Sequence, residues 1–349
     1  MRDLACGDRR VFLYLQQRRV NCLICGGVKT EHLDWLAELP HFTQRFARFV
    51  GERCRESTIK AVAEELVLHW HTVKELDKLY MQEQLRRAGS PSPRVIGIDE
   101  ISLGKGHSYR IVVSDLERGG PIWFGGQDRS EASMDEFFAW LGATKCQKIR
   151  LAVMDMWQPF RTSTLKKGHA ANASILYDKF HIITHLSKAM DQVRRQEYAR
   201  LSGPGRRFIK GQRYALLSRW RNLDYAGRQT LKLLFHANRR LYKAYLLQES
   251  FDQLWEYHRP VWARRFFHNW RESLRWQRLG PFERFANMVA AHWDGIEAYC
   301  HEENKVPLGL VEGLNNKFRA IQRRAYGFRD EEYLRLKILT CMLPKLPNP

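Results

Sequence analysis

The chain has 349 residues, 44% hydrophobic and 28% charged, enough for one large globular domain or about two to three smaller ones. Its formal net charge of +20 indicates a polyanionic partner, most simply nucleic acid. No apolar run approaches the roughly 18 to 20 residues of a membrane span, and the N-terminus lacks the apolar core of a signal peptide, so we expect neither a membrane protein nor an exported one. Seven cysteines, an odd number, then favour reduced thiols in the cytoplasm, with the DNA-bound fraction at the nucleoid.

Residues 1–40 form a small basic segment with one Cys-x2-Cys pair, Cys22 and Cys25. Such a pair is one knuckle of a zinc ribbon, whose tetrahedral site takes thiolates from two knuckles. Cys6 does not supply the spacing of a second knuckle. The two cysteines are therefore candidate zinc ligands in a partial zinc ribbon, and the single knuckle argues against bound zinc. Loose alternation over residues 9–20 predicts a small basic hairpin.

Residues 41–90 are predicted to be helical, and within them residues 63–73 have the spacing of a helix-turn-helix. The fit is imperfect, because Val67 stands where glycine is usual in the turn, and an ordinary helical hairpin stays open as the alternative. A turn-rich linker over residues 88–93 predicts a domain boundary near residue 90. If the motif reads DNA, the residues expected on or next to the reading helix are Trp70, His71, Lys74 and Lys78.

Residues 91–349 begin with three strand-like runs, a helix and a fourth strand-like run. The runs cover residues 95–98, 109–113, 121–124 and 149–154, and the helix starts after Ser130. Asp99 closes the first run and Asp155 closes the fourth. This order is the layout of a ribonuclease-H-like α/β fold, in which the two acids lie side by side at one edge of a sheet.

Two carboxylates at such an edge are a candidate metal site. Hard oxygen ligands favour Mg²⁺, so Asp99 and Asp155 are the predicted ligands. The alternative is that each is an ordinary strand-terminal acid facing water; finding both in the expected places favours the metal. Asp178 and His181 follow a fifth strand-like run. They fit partners of the metal ligands and a strand end with a helix cap equally well.

From about residue 185 to about residue 300 the pattern is helical, basic and rich in tryptophan. Residues 188–243 hold fifteen lysines and arginines against three acids, a local net charge of +12. Basic helices of this kind suit a surface that follows DNA phosphates. The tryptophans from Trp255 to Trp293 are expected in the core of these helices. The cations expected to contact DNA are Arg206, Arg207, Lys210 and Arg213.

Residues 308–324 predict an amphipathic helix whose polar face carries one acid, Glu312, among amides and cations. Such a face is most often simply solvated. Because it follows a sheet that already holds two acids, Glu312 becomes the natural third carboxylate.

Four motifs, VIGIDE, LAVMDMW, LYDKFHII and VEGLNNKFRAIQRRAYGFRDEEYLRLKIL, resemble those of DDE insertion-sequence transposases of the ISL-three family. The similarity runs from about Cys22 to Leu343. It implies that Asp99, Asp155 and Glu312 are the catalytic carboxylates and that the helices of residues 185–300 are an insertion in the catalytic domain. Family members usually begin with two cysteine knuckles; this chain has only the second, as expected of an N-terminally truncated copy.

The resemblance implies a mobile-element enzyme that cleaves the ends of an insertion sequence and joins them to target DNA, by phosphoryl transfer with two Mg²⁺ or Mn²⁺ ions. It implies double-stranded DNA as partner and a homodimer or larger assembly when the ends are synapsed. Two alternatives stay open: a transposase-derived DNA-binding protein without activity, and a ribonuclease-H-like nuclease. Residues expected to hold phosphates near the site are Asn315, Asn316, Lys317, Arg319 and Arg323.

Overall fold

The computed structural model describes residues 1–39, 41–103, 108–306, 308–325 and 330–347, and within them the fold is mixed α/β. The strands are β1 (Arg2–Cys6), β2 (Arg9–Phe12), β3 (Arg19–Asn21), β4 (Val28–Thr30), β5 (Val95–Ser102), β6 (Tyr109–Asp115), β7 (Gly120–Gly125), β8 (Leu151–Met154) and β9 (Ser174–Tyr177). The first eight α-helices are α1 (Gln44–Glu56), α2 (Ile59–Leu66), α3 (Trp70–Ala88), α4 (Glu131–Leu141), α5 (Ala143–Cys146), α6 (Gln158–Thr164), α7 (Lys179–Arg200) and α8 (Gly203–Gly211). The others are α9 (Arg213–Leu217), α10 (Tyr225–Ala237), α11 (Arg239–Phe251), α12 (Pro260–Glu272), α13 (Gly280–Ala291), α14 (Trp293–Glu297), α15 (Leu308–Arg324) and α16 (Glu331–Thr340).

The chain divides into two compact units. The terminal unit comprises Met1–Ser92, Glu100–Asp128 and Glu312–Pro349, and the central unit comprises Pro93–Asp99 and Arg129–Val311. The first segment of the terminal unit ends close to the boundary expected near residue 90. The division into domains predicted from the sequence remains a prediction. Within the described ranges, no helix is long and apolar enough to cross a membrane.

The N-terminal segment contains two antiparallel hairpins, β1 with β2 and β3 with β4. The single hairpin predicted over residues 9–20 is therefore wrong in its bounds. Gly7, at a φ of 64°, makes the first turn earlier in the chain, so that residues 9–12 return along β1. Both strands of the second hairpin are exposed, and its loop carries Cys22, which is half-buried, and Cys25, which is exposed.

Helices α1, α2 and α3 form the predicted helix-turn-helix and share a core built on Val50, Val62 and Val73. Thr43 and Thr58 cap the first two helices by accepting backbone N–H groups. The turn before α3 places Val67 in the left-handed region at a φ of 52°, where glycine is favoured. The valine that departs from the motif thus adopts the backbone conformation that the motif requires.

Helix α16 belongs to the same unit as α3 and packs against it. Tyr333 and Leu336 are buried together with Met81 of α3. The Nζ of Lys337 lies 2.6 Å from Oδ2 of Asp77, which is fully buried in α3 and also accepts the Tyr333 hydroxyl. Helix α16 therefore supplies buried side chains against which α3 of the helix-turn-helix packs.

The main sheet has five strands in the order β7-β6-β5-β8-β9. β6 and β7 pair antiparallel, whereas β8 runs parallel to β5 and β9 runs parallel to β8. Its strands are those expected from the apolar runs. β5 continues to Ser102, so Asp99 lies inside the strand and not at its tip as predicted.

After β9 the central unit is helical in every described element up to residue 300. Aromatic rings from three helices form its core: Phe251, Trp270 and Phe285 pack with centroids 5.0 to 6.0 Å apart. The prediction of buried tryptophans is wrong in part, because Trp276 is 86% exposed and Trp262 is 50% exposed. Trp262 lies on an exposed face of α12 and Trp276 lies in a turn, and the aromatic pattern alone did not distinguish either position from the core.

Candidate active site

The parallel pairing of β5 with β8 brings two of the predicted carboxylates to one level of the sheet. Gly97 is the register partner of Val153, and Asp99 and Asp155 each stand two residues farther along their strands. Because the strands are parallel, both acids lie at the same, carboxyl-terminal edge. Both side chains are partly exposed, and Asp155 accepts the backbone N–H of Trp157 at 3.0 Å.

The next parallel strand adds a third acid to this row. Met154 of β8 is the partner of Tyr177 of β9, so Asp155 and Asp178 each follow one residue later. The backbone N–H of Asp178 also donates to the carbonyl of Met154 at 2.7 Å. Three carboxylates thus stand in a row near the carboxyl ends of consecutive parallel strands: Asp99 lies inside β5, and Asp155 and Asp178 come directly after β8 and β9.

Asp178 is both a helix cap and the partner of a histidine. One carboxylate oxygen accepts the N–H of Phe180 at 2.8 Å and so caps α7. The other lies 3.1 Å from Nδ1 of His181. The helix cap is therefore present, whereas a role of Asp178 and His181 as partners of the metal ligands stays a prediction.

The carboxylates of this sheet edge raise the pKa of His181. Its hydrogen bond with Asp178 raises the pKa of the imidazole to about 9, although burial opposes the shift. The charges of Asp178, Asp99 and Asp155 add to the rise. At neutral pH the ring is therefore a cation held beside the carboxylates.

Hydrogen bonds from residues that the sequence analysis did not single out hold the junction of β9 and α7. The hydroxyl of Tyr299 donates to the carbonyl of Tyr177 at 2.5 Å and accepts the N–H of Lys179 at 2.8 Å. Arg161 donates to the Tyr177 hydroxyl at 2.8 Å and pairs with Asp294. The contacts of Tyr299 and Asp294 join residues more than a hundred positions apart, so local patterns could not indicate them.

Glu312 lies on α15 and is the first residue of the last segment of the terminal unit, whereas Asp99 and Asp155 lie in the central unit. The helix has the predicted amphipathic division. Its buried residues are Val311, Leu314, Phe318 and Ile321. Its exposed residues include Glu312, Asn316, Lys317, Arg319 and Arg323, and Asn315 is half-buried.

The donor chemistry of the acidic edge suits a divalent cation with a preference for oxygen ligands, because Asp99 and Asp155 offer carboxylate oxygens at adjacent strand positions. No group of three or more histidine, cysteine, aspartate or glutamate side chains in the described part of the chain is arranged to hold a metal. In the N-terminal loop, backbone N–H groups of Cys25 and Ile24 lower the pKa of Cys22. That loop offers two thiols, half of a tetrahedral zinc site.

The residues predicted to read DNA begin α3. Trp70 is 48% exposed and its ring stacks on that of His71 at 3.6 Å between centroids. Lys74 and Lys78 are instead largely buried, and their Nζ atoms lie 2.5 Å and 3.3 Å from Oδ2 of Asp330. The start of the helix therefore presents rings to solvent, while the ammonium of Lys74 already has a partner.

The predicted basic contacts cluster on and after α8. Arg206, Arg207 and Lys210 are exposed, and the Arg206 guanidinium lies over the ring of Tyr198. Arg213 is half exposed and lies 3.6 Å from Asp191. Three cations of the four are thus presented to solvent without an acidic partner among the described residues.

A helix-turn-helix, a basic helical surface and a row of carboxylates at a sheet edge together define an enzyme that acts on DNA. Residues 96–338 match a family model described as a transposase, of the DDE type, and residues 31–80 match the helix-turn-helix domain of transposase family ISL3. The chain therefore belongs to the ISL3 family of DDE transposases, as the motifs predicted.

Curated relatives agree with this assignment. The chain is 34% identical over 341 residues to the transposase for insertion sequence element IS1001 of Bordetella parapertussis, covering 97% of this chain and 83% of that protein. It is 29% identical over 380 aligned residues to the transposase for insertion sequence element IS1557 of two Mycobacterium tuberculosis strains, CDC 1551 and H37Rv, covering 99% of this chain and 83% of those proteins. DDE transposases normally use divalent metal ions and bind DNA.

Proposed function

We propose that this transposase cleaves the ends of its own insertion sequence and joins them to target DNA, with Asp99, Asp155 and Glu312 as its catalytic carboxylates. The observation that carries the proposal is the register of β5 and β8, which aligns Asp99 with Asp155 at one sheet edge. We assign the sheet to the ribonuclease-H-like class and residues 185–300 to a helical insertion. Synapsis of two ends would require a homodimer or a larger assembly.

The three carboxylates would hold two Mg²⁺ or Mn²⁺ ions, because anionic oxygen donors are the ligands that these ions prefer. Bound there, the ions would activate the attacking water or 3′-hydroxyl and stabilise charge on the leaving oxygen. The N–H of Trp157, which donates to Asp155, restricts the orientation of that carboxylate. The two thiols of Cys22 and Cys25 support no zinc site by themselves.

His181 adds a positive group to a site that is otherwise acidic. Held by Asp178 through Nδ1, the ring retains Nε2–H as a donor for a phosphate oxygen of the strand being cleaved. A DNA phosphate is repelled by bare carboxylates, so a fixed cation beside them favours its approach. We assign His181 to phosphate binding and Asp178 to positioning its ring.

DNA binding would be divided between two surfaces. Exposed cations of the helical region bind phosphates without regard to sequence, whereas Trp70 and His71, at the start of α3, are placed to read base edges. Lys74 contributes less than the sequence suggested, because Asp330 competes for its charge. Phosphates near the active site would be held by Asn315, Asn316, Lys317, Arg319 and Arg323.

Strand cleavage in variants of the acids tests the assignment. Asp99→Asn, Asp155→Asn and Glu312→Gln should each abolish Mg²⁺-dependent nicking of element-end DNA, since each removes one anionic ligand. DNA binding should stay within about threefold of wild type, because it rests on cations elsewhere.

Asp224→Asn is the matched control, since Asp224 only caps α10 and asparagine caps equally well. Nicking at the wild-type rate in either aspartate variant would refute the assignment. Bound but uncut DNA with the wild-type chain, in Mg²⁺ and in Mn²⁺, would favour a binding protein without activity.

A further inference from the structure

A cavity of about 520 Å³ lies within the terminal unit, where helices α1, α3, α15 and α16 meet. Its size is within the range of small-molecule sites, roughly 300 to 1,000 Å³. None of the three proposed catalytic carboxylates lines it, and of the residues assigned to phosphates near the active site only Lys317 does. The side chains around it include several cations and one buried carboxylate oxygen without a hydrogen-bond donor.

The walls of the cavity are cationic. The charged lining residues are Arg55, Lys317, Arg324, Lys337 and Lys345 against Glu56 and Asp77. Lys317 and Arg324 make no hydrogen bond or ion pair with any residue in the part of the chain that the structure describes. They stand seven residues apart on α15, about two helical turns, so they project from similar directions of the same helix. The lining carries five cations against two acids, so the cavity favours an anionic ligand even though the charge of Arg324 also acts on Asp77.

The buried side of the cavity offers an acceptor that lacks a donor. Asp77 is fully buried, and its Oδ2 is occupied by Lys337 at 2.6 Å and by the Tyr333 hydroxyl. Its Oδ1 has no hydrogen-bond partner among the described residues. A buried acceptor without a donor is unfavourable, so a ligand that donates a hydrogen bond here would be stabilised.

We propose that this cavity binds a small phosphorylated molecule that also carries hydroxyl or amino donors, the combination that a nucleotide provides. The phosphate would bind Lys317 and Arg324 by charge-assisted hydrogen bonds. A hydroxyl or amino group of the same molecule would donate to Oδ1 of Asp77. The nucleotide can be free in solution or be the 5′-phosphorylated end of a DNA strand. The proposal is independent of the assignment of the catalytic carboxylates.

Calorimetric titration of the full chain with AMP tests both halves of the proposal. Inorganic phosphate supplies only the anion and adenosine only the donors, so we expect AMP to bind at least about tenfold more tightly than either. A 5′-phosphorylated dinucleotide that displaces AMP, when its unphosphorylated form does not, identifies a strand end as the source. Retained AMP binding without such displacement identifies a free nucleotide.

Variants at the rim separate this site from the rest of the basic surface. Arg324→Gln and Lys317→Gln should each weaken AMP binding about tenfold. Arg335→Gln, an exposed change on α16 outside the cavity, should leave it within about twofold. Ala320→Trp keeps every charge and fills part of the cavity, so it should abolish binding. AMP binding no tighter than that of phosphate, or unchanged in Arg324→Gln and Ala320→Trp, would overturn the proposal.

Discussion

At the scale of single residues, the central feature is that the two carboxylate oxygens of Asp178 have different partners. One oxygen caps a helix and the other holds the ring of His181, so an ordinary alanine substitution removes both functions at once. A substitution that keeps only one of them can separate a role in folding from a role in phosphate binding.

Asp178→Ser provides this separation. Serine caps a helix about as well as aspartate but offers no second oxygen to Nδ1 of His181. We expect cleavage of end DNA to fall roughly tenfold to a hundredfold, as far as in His181→Ala, since the partner that orients the ring is removed. The melting temperature should stay close to that of the wild type.

The matched control for this test is Asp224→Ser, because Asp224 caps α10 through the N–H of Gly227 and has no histidine partner among the described residues. It should cleave normally. Wild-type cleavage by Asp178→Ser would show that Asp178 and His181 serve only to begin α7.

The acids of the candidate active site could be predicted only in part from the sequence. Asp99 and Asp155 each end a short apolar run, and this local pattern was sufficient to predict that they stand at the same end of the sheet. The place of Asp178 in the same row depends on the pairing of β8 with β9, which sequence periodicity does not specify. The pairing of Lys74 with Asp330 joins residues 256 positions apart, so it could not be predicted from the sequence either.

At the scale of secondary-structure elements, the basic block is less uniform than its net charge suggests. Asp191 of α7 binds Arg194 and Arg195, and Glu197 binds Arg200 and Arg240. These ion pairs lie within the basic block and stabilise it. Their arginines are therefore less available to DNA. We therefore propose the exposed cations of α8 as the main phosphate-binding group.

Neutralising the cluster tests this division. Changing Arg206, Arg207, Lys210 and Arg213 together to glutamine should weaken binding to end DNA and to random DNA equally, because phosphate contacts carry no sequence information. The slope of log affinity against log salt should shrink by about 0.9 for each phosphate that the variant no longer neutralises. Lys148 and Lys167, exposed cations outside the block, are the control pair. An unchanged slope in the fourfold variant would mean that α8 does not face DNA.

The ion pair between α3 and the residue that caps α16 predicts a pH dependence of stability. The hydrogen bond from Lys74 lowers the pKa of Asp330 to about 2, with help from the N–H of Tyr333. Because the folded pKa lies below the ordinary value near 3.8, this carboxylate stabilises the fold above about pH 4. That contribution is lost as the pH falls towards 2.

Asp330→Asn retains the cap and removes the charge. The variant should therefore be less stable than the wild type at pH 6, with a difference in urea midpoint that shrinks steadily between about pH 5 and pH 2. A difference that is constant over this range would show that the ion pair with Lys74 contributes nothing.

Elements were predicted well where apolar periodicity was strong, as in the five strands of the main sheet and in α15. The N-terminal hairpins were misplaced because their strands are short and mostly exposed, so no buried face marks them. Tryptophan was a poor guide to burial: Trp276 adopts a left-handed φ of 67° in a turn and is left in solvent.

At the scale of the whole molecule, the terminal unit draws on both ends of the chain. α3 and α16 share buried side chains, with Asp77 and Lys337 paired between them. Sequence patterns report neighbours within a few turns of a helix and contain no sign of a contact between residues so far apart in the chain. The predicted linker near residue 90 therefore says little about what the preceding helices pack against.

Removing residues 1–90 should consequently affect both recognition and stability. The truncated chain lacks the helix-turn-helix, so its preference for end DNA over scrambled DNA in competition binding should vanish. It also leaves Lys337 without Asp77 and uncovers Tyr333, so we expect a lower melting temperature.

The intact chain with Trp70→Ala and His71→Ala separates these effects, because it should lose the preference while keeping the stability. Full preference in that double variant would place base reading elsewhere in the protein.

The partnership of α3 with α16 also has a consequence during synthesis. A ribosome makes α3 before α16, with about 240 residues between them. At about 5 to 20 residues per second the interval is roughly 12 to 48 s, during which Asp77 and Met81 have no partner from α16. The nascent helix-turn-helix is exposed to chaperones and proteases throughout this interval. Its packing is complete only when α16 emerges.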